Sequence, residues 1–340
     1  MNFFQGKNIL IISVQFFNYE HIISKELIRL GATVDLFDER PSNSFYSKAI
    51  IRLKKSLYQR RIDQHFLKIL NKIKNKQYDY FLLIKGEATP VFFLEHLKKN
   101  HPKIQFVYYT YDSFKNNPNG LENLRFFDRK FTFDHLDARI YNLGFRPLFF
   151  ANEYANINEN TTDYQYDLSF IGTAHSDRYY ISQNIASWCK NVGLNMFNFY
   201  FSPSKILFNI KKIADKNFLM FDRKKISFDS LTHTEIITLY QKSKAILDIN
   251  HPGQNGLTMR TFETLGAGRK LITTNPDVQR YPFYDPKNIF IIDRKNPQLN
   301  IEFFNGEFNS IEKDIYFAMS LTGWLKELFV QETSIWEFKS

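Results

Sequence analysis

The stretch Asp248–Asn275, DINHPGQNGLTMRTFETLGAGRKLITTN, decides how the rest of the chain is read. Ala245–Ile249 has the apolar run of a buried strand, and Lys270–Thr274 reads as a second. Between them lies a loop carrying Asn250, His251, Gln254, Asn255, Gly256 and Leu257, then a short helix from about Thr258 to Gly266. At roughly 100° per residue, Gly256, Arg260 and Glu263 fall within about 60° of one another. A small residue, a cation and a carboxylate then share one face at a helix N-terminus. That end favours anions, because its free N–H groups and its dipole point outward. Arg260 can fork onto phosphate oxygens and Glu263 can accept from a ribose diol. His251 follows the strand and precedes Pro252; it can serve a diphosphate, a sugar hydroxyl or the turn alone. The spacing is equally that of an ordinary αβ unit with a solvated arginine and glutamate.

The segment resembles the C-terminal nucleotide-sugar signature of GT-B glycosyltransferases, and within them the CgeB-like group of bacterial capsule and lipopolysaccharide genes. There a Gly-x-x-x-Arg-x-x-Glu run precedes a Gly-x-Gly strand, matched here by Gly256, Arg260, Glu263, Gly266, Gly268 and Leu271–Thr274. The resemblance implies two Rossmann-like α/β domains facing across a cleft, with the last helix crossing back to the first domain. It also implies catalysis without a cofactor or bound metal. GT-A transferases usually hold a metal with Asp-x-Asp, and that motif is absent from this sequence. Retaining GT-B families typically carry Glu-x7-Glu in this region. Asn255 stands eight residues before Glu263, so the stereochemical course stays open.

Working outward, Asp167-Leu-Ser-Phe-Ile-Gly-Thr reads as a strand ending in a turn at Gly172 and Thr173, whose backbone N–H groups could meet a phosphate. CgeB-like proteins resemble this segment too, with an arginine soon after, which here is Arg178. A plain βα turn is the competing reading. The first half alternates strands at Asn8–Val14, Thr33–Phe37, Tyr80–Ile84, Gln105–Thr110 and Phe131–Phe133 with helices, the pattern of a wrapped parallel sheet. Asn-rich 151–166 reads as a linker. The expected division is an acceptor domain over 1–150, a nucleotide-sugar domain over 167–310, and a closing helical segment over 311–340 that packs on the first domain.

An inverting transferase needs a base for the acceptor hydroxyl, and loops at strand ends of the first domain supply Asp112, Glu87 and His135. Each could equally cap or brace its loop.

Net charge is +10, and its distribution is uneven. Lys48–Lys76 holds ten Lys/Arg and the single acid Asp63, so it carries +9. Apolar residues at Ile50, Ile51, Leu53, Leu57, Ile62, Phe66, Ile69, Leu70 and Ile73 give it helical patterning, which suits an anionic membrane surface or lipid-linked acceptor, or else a solvated helix face. No nucleic-acid-binding module accompanies the charge. A single cysteine, Cys189, excludes an intrachain disulfide and reads as a buried small hydrophobe. No signal peptide or membrane span is legible, so the expected location is the cytoplasm, at most on the inner face of the plasma membrane. The expected function is transfer of a sugar from a nucleotide-diphosphate donor, UDP above all, to a bacterial surface glycan. A non-catalytic nucleotide-sugar-binding scaffold and a nucleotide-sugar 2-epimerase are the alternatives.

Overall fold

A computed structural model describes residues 3–157, 163–214, 216–253 and 256–336. Gln254 and Asn255, both in the expected donor loop, lie outside the described residues, as does part of the expected linker. The chain divides into two compact units. One runs to Pro147 and resumes at Leu321; the other spans Leu148–Ser320.

The first unit is a parallel sheet of β1 (Asn8–Ser13), β2 (Thr33–Asp38), β3 (Tyr80–Ile84), β4 (Gln105–Thr110), β5 (Arg129–Thr132) and β6 (Gly144–Phe145), in the order β2-β1-β3-β4-β5-β6. Ile9–Ile12 and Phe81–Leu83 are fully buried, as a parallel sheet covered on both faces requires. Its direction of winding reverses between β1 and β3. The segment after β2 forms a helix Phe45–Lys54, a 3-10 turn Lys55–Tyr58 and a helix Gln59–Ile73. The expected helical patterning is thus present, broken by the 3-10 turn. Ile62, Phe66, Ile69, Leu70 and Ile73 turn inward and join the core, so the apolar face of Gln59–Ile73 is occupied and its basic side, with Leu67, lies outside.

The second unit is a parallel sheet of β7 (Tyr166–Thr173), β8 (Met196–Phe201), β9 (Ile226–Ser227), β10 (Ser243–Asp248), β11 (Lys270–Thr273) and β12 (Ile289–Ile291), ordered β12-β11-β10-β7-β8-β9. This is the doubly wound dinucleotide-binding order, with its reversal between β7 and β10. Strands β6 and β9, two residues each, are too short for periodicity to reveal. Cys189 is buried, and burial pushes its thiol up to about 12.

The expected closing helix is two helices, Lys313–Met319 and Leu321–Phe329. Ser320 breaks them by adopting an extended backbone (φ −74°, ψ 159°) that bridges Phe150. Leu321–Phe329 belongs to the first unit. There Trp324 stands edge-on to Tyr109 at 4.7 Å, and Glu327 Oε2 lies 2.7 Å from Nε of fully buried Arg146. Among the described residues no helix is long and apolar enough to cross a membrane.

Backbone strain marks the same places. Of the five non-glycine residues with positive φ among the described residues, Phe17 and Asn18 follow β1, Lys85 follows β3 and Ser176 follows β7. These are the strands that border the two reversals, where open α/β sheets bind ligands beyond their carboxyl ends.

Candidate functional site

In the second unit the site starts from Asp248, the last residue of β10 and a buried one. Its Oδ2 accepts from the hydroxyls of Thr258 (2.7 Å) and Thr261 (2.9 Å), and its Oδ1 lies 3.8 Å from Nη1 of Arg260. These bonds fix where the next helix, Met259–Gly266, begins. Thr258 is its N-cap in extended conformation; its hydroxyl is turned to donate to Asp248, and it makes no side-chain cap bond. The first-turn amides are therefore left without the usual side-chain acceptor.

Two further arginines converge there. Arg178 opens the helix Arg178–Asn191 and is buried; its Nε donates to the carbonyl of Ile249 at 2.8 Å and its Nη1 to that of Thr173 at 3.3 Å. It thus ties β7 to β10. Burial, with the charge of Arg260 second, lowers its pKa to about 10, so it stays cationic near neutrality. Arg294, just beyond β12, pairs with both oxygens of Asp177 at 2.7 and 2.9 Å. Its other terminal nitrogen donates to the backbone oxygen (2.6 Å) and side-chain oxygen (2.7 Å) of Asn250, and to the Thr274 hydroxyl at 3.1 Å. His175 sits beside them with its ring 5.4 Å from that of His251. Burial, then the charges of Arg178 and other cations, lowers its pKa to about 3, which makes it a neutral imidazole. Three arginines converge at one sheet reversal, where their guanidinium groups suit an anionic group.

Several sequence expectations change in detail. Gly256 lies before the helix, so it does not share a helical face with Arg260 and Glu263; the Asp248 contacts start the helix at Met259 instead. Gly172 and Thr173 are not in a turn. They pair with Tyr200 and Phe201 in the β7–β8 ladder, and the turn is displaced to Ala174–Asp177. A Cβ at Gly172 would come within 2.6 Å of the Phe170 ring, so that glycine answers a packing need. Gly266 does likewise, with Phe150 at 2.3 Å from the position of its Cβ. Glu263 is buried, and its charge raises the pKa of the buried Tyr240 phenol after desolvation has done most of that. Leu257 is buried, while His251 is exposed and accepts from the Gly253 amide at 3.1 Å. Sequence reasoning missed Asp248 and Arg294 as organisers of the site.

In the first unit the loops after β2, β3 and β4 build a charged cluster. Glu87 is fully buried; its Oε1 accepts from Arg40 Nε and its Oε2 lies 3.0 Å from Lys85 Nζ. Burial alone would raise its pKa, but the Arg40 hydrogen bond and the two cations outweigh burial and hold it below the usual range. A sealed, ion-paired carboxylate cannot reach an acceptor hydroxyl, so Glu87 is withdrawn as a base. Glu39 is buried beside it and accepts from the amides of Ala88 and Thr89 and from the Thr89 hydroxyl. Burial and the Glu87 charge push its pKa up. Asp112 is different: its side chain is 29% exposed while its Oδ2 lies 3.2 Å from Lys85 Nζ. His135 is the first residue of the helix His135–Tyr141 beyond β5, two strands from the β1/β3 reversal. Tyr111 adds an aromatic floor, stacked on Phe16 at 4.8 Å. Among the described residues, no group of three or more His, Cys, Asp and Glu is placed to hold a metal ion.

Comparison with known proteins places this architecture. No protein-family model matches the chain, and no curated protein matches it by sequence. Solved structures do match. A glycosyltransferase from Rickettsia africae ESF-5 aligns with TM-score 0.56 at 13% identity, covering 94% of this chain and 96% of that one. Sucrose-phosphate synthase from Thermosynechococcus elongatus aligns with TM-score 0.52 at 11% identity, covering 95% of each. The UDP-GlcNAc 2-epimerase of Methanocaldococcus jannaschii aligns with TM-score 0.50 at 13% identity, covering 95% and 100%. The two six-stranded sheets are those of the GT-B fold.

Proposed function

We propose that this chain is a glycosyltransferase that moves a sugar from a UDP-sugar to a bacterial surface glycan, without a metal. The observation that carries the reading is the convergence of Arg178, Arg260 and Arg294 on the β7/β10 reversal, around a helix start that Asp248 has fixed. The fold is shared with proteins that handle nucleotide sugars, and UDP is the nucleotide named for the epimerase.

In the proposed reaction the glycosidic bond to the diphosphate breaks as the acceptor oxygen bonds the sugar carbon. Negative charge grows on the departing diphosphate, and preorganised donors aimed at it lower the barrier. Arg260 and the N-terminal end of Met259–Gly266 offset that charge, with Arg178 and the neutral His175 behind them and His251 and Thr258 at the rim. Glu263 positions the ribose. Asp112 takes the acceptor proton, because it alone of the expected bases is both ionic and partly exposed. The capsule and lipopolysaccharide assignment rests on the CgeB-like resemblance of the Gly256–Glu263 and Asp167–Arg178 segments.

The test is release of nucleoside diphosphate from UDP-, GDP-, dTDP- and ADP-sugars with EDTA present, with and without lipid-linked glycan. Acceptor-dependent release from a UDP-sugar, abolished in Asp112→Asn, is expected. Interconversion of the free UDP-sugar with no acceptor would support the 2-epimerase reading instead. Binding without either reaction would leave a nucleotide-sugar-binding scaffold.

A further inference from the structure

The helix Phe45–Lys54 is amphipathic in an unusual sense, because its outward side is apolar. Ser47 and Ile51 face inward and are buried. The Ser47 hydroxyl bonds the Tyr58 hydroxyl at 2.8 Å, Asn119 donates to the Ile51 carbonyl at 3.2 Å, and Lys55 pairs with Glu122 at 3.1 Å. The segment is thus fixed to the first unit by its polar groups. Outside, Phe45 is 59% exposed, Tyr46 78%, Leu53 87% and Leu57 72%. At about 100° per residue Phe45, Tyr46, Ala49 and Leu53 share a sector of about 100° on the helix. Lys48 and Arg52 flank one side of it and Lys54 the other. From Ser42 to Ile62 the chain has six basic residues (Lys48, Arg52, Lys54, Lys55, Arg60 and Arg61) and no acidic one.

We infer that the outward apolar side chains Phe45, Tyr46 and Leu53 of this helix, with the exposed Leu57 of the 3-10 turn that follows, are a docking surface for a lipid bilayer that carries anionic headgroups. This goes beyond the transferase reading and does not depend on it. Two features choose the occupant. Exposed aromatic and leucine side chains with basic neighbours gain from the boundary between acyl chains and headgroups, where apolar tips insert and cations stay at phosphate level. A nucleic acid would use the cations and leave the four apolar side chains in water. A second copy would bring the basic flanks of the two surfaces against each other, which opposes self-association. The helix follows β2 on the carboxyl side of the sheet, the side that also carries Arg40, Lys85 and Asp112.

The experiment is co-sedimentation of the full chain with vesicles of phosphatidylcholine alone or mixed with phosphatidylglycerol, with sedimentation velocity on the same samples. Binding to the mixed vesicles and none to phosphatidylcholine is expected, with partitioning falling roughly tenfold or more in Leu53→Ser/Leu57→Ser. Because both side chains already face water, the variant should melt with the wild type. The comparison variant is Ile206→Ser/Ile210→Ser, on the exposed side of the helix Lys205–Ala214, and it should bind as wild type does. Three results would overturn the inference: no binding to either vesicle, binding indifferent to Leu53 and Leu57, or a wild-type dimer that those substitutions dissociate.

Discussion

Lys85 Nζ lies 3.2 Å from Oδ2 of Asp112, and the same ammonium lies 3.0 Å from Oε2 of Glu87. One buried cation thus joins a sealed carboxylate to a half-open one across the ends of β3 and β4. Glu87, clamped also by Arg40, acts as an anchor; the aim of Asp112 is what the anchor secures. On this arrangement Asp112→Asn should lower kcat by roughly 10²–10⁴-fold, the range for loss of a general base. UDP affinity measured by calorimetry should be unchanged. An equal loss of UDP affinity would remove Asp112 from the base role.

Glu87 tests the other half of that pair. Glu87→Gln leaves Arg40 and Lys85 buried with one carboxylate fewer. Truncating one partner of a buried ionic group costs about 3–5 kcal/mol. A clearly lowered melting temperature in both activity-bearing and inactive preparations is expected, whereas a normal melting temperature with lost activity would restore Glu87 as a chemical participant.

Arg294 should separate from Arg260 in its effects. Arg294 holds Asn250, Thr274 and Asp177 together, so Arg294→Ala should loosen the donor loop and lower the melting temperature as well as UDP affinity. Arg260, 3.8 Å from Asp248, is the arginine assigned to the diphosphate, so in Arg260→Ala the loss of UDP affinity should outweigh any loss of stability. Reversed behaviour would mean that the two arginines have been assigned each other's roles.

His175 gives a pH prediction. Its folded pKa, about 3, lies below its ordinary 6.5, so the unfolded chain binds the proton more readily. Stability from this group is complete above about pH 6.5 and is lost as pH falls toward 3, with a slope of at most about 1.4 kcal/mol per pH unit. His175→Gln should flatten that slope relative to wild type in denaturant titrations between pH 4 and about 6.5. Identical slopes would show that the imidazole titrates normally.

Much of the fold was legible because parallel strands advertise themselves locally. Tyr80–Ile84 and Gln105–Thr110 are apolar runs whose bounds the structure repeats. The order of the strands was not legible, since no local pattern says that β10 pairs β7. The donor segment was half legible. Arg260 and Glu263 fall on a short helix after a strand, as expected, but the start of that helix depends on Asp248 accepting from Thr258 and Thr261. Arg294 was invisible because its partners Asp177, Asn250 and Thr274 are 117, 44 and 20 residues away. Glu87 reads as a candidate base in sequence because Arg40, which closes on it, stands 47 residues away. Periodicity likewise gave the apolar face of Gln59–Ile73 without saying that the face is already occupied by the core.

The most direct test of the central claim is calorimetric titration of UDP, GDP, CDP, dTDP and ADP into the full chain with EDTA present, alongside Arg260→Ala. The account predicts that UDP binds the wild type with an affinity at least roughly tenfold above that for the Arg260→Ala variant, as loss of a charge-assisted phosphate contact implies. No binding of any nucleoside diphosphate, or UDP binding that Arg260→Ala leaves unchanged, would contradict it.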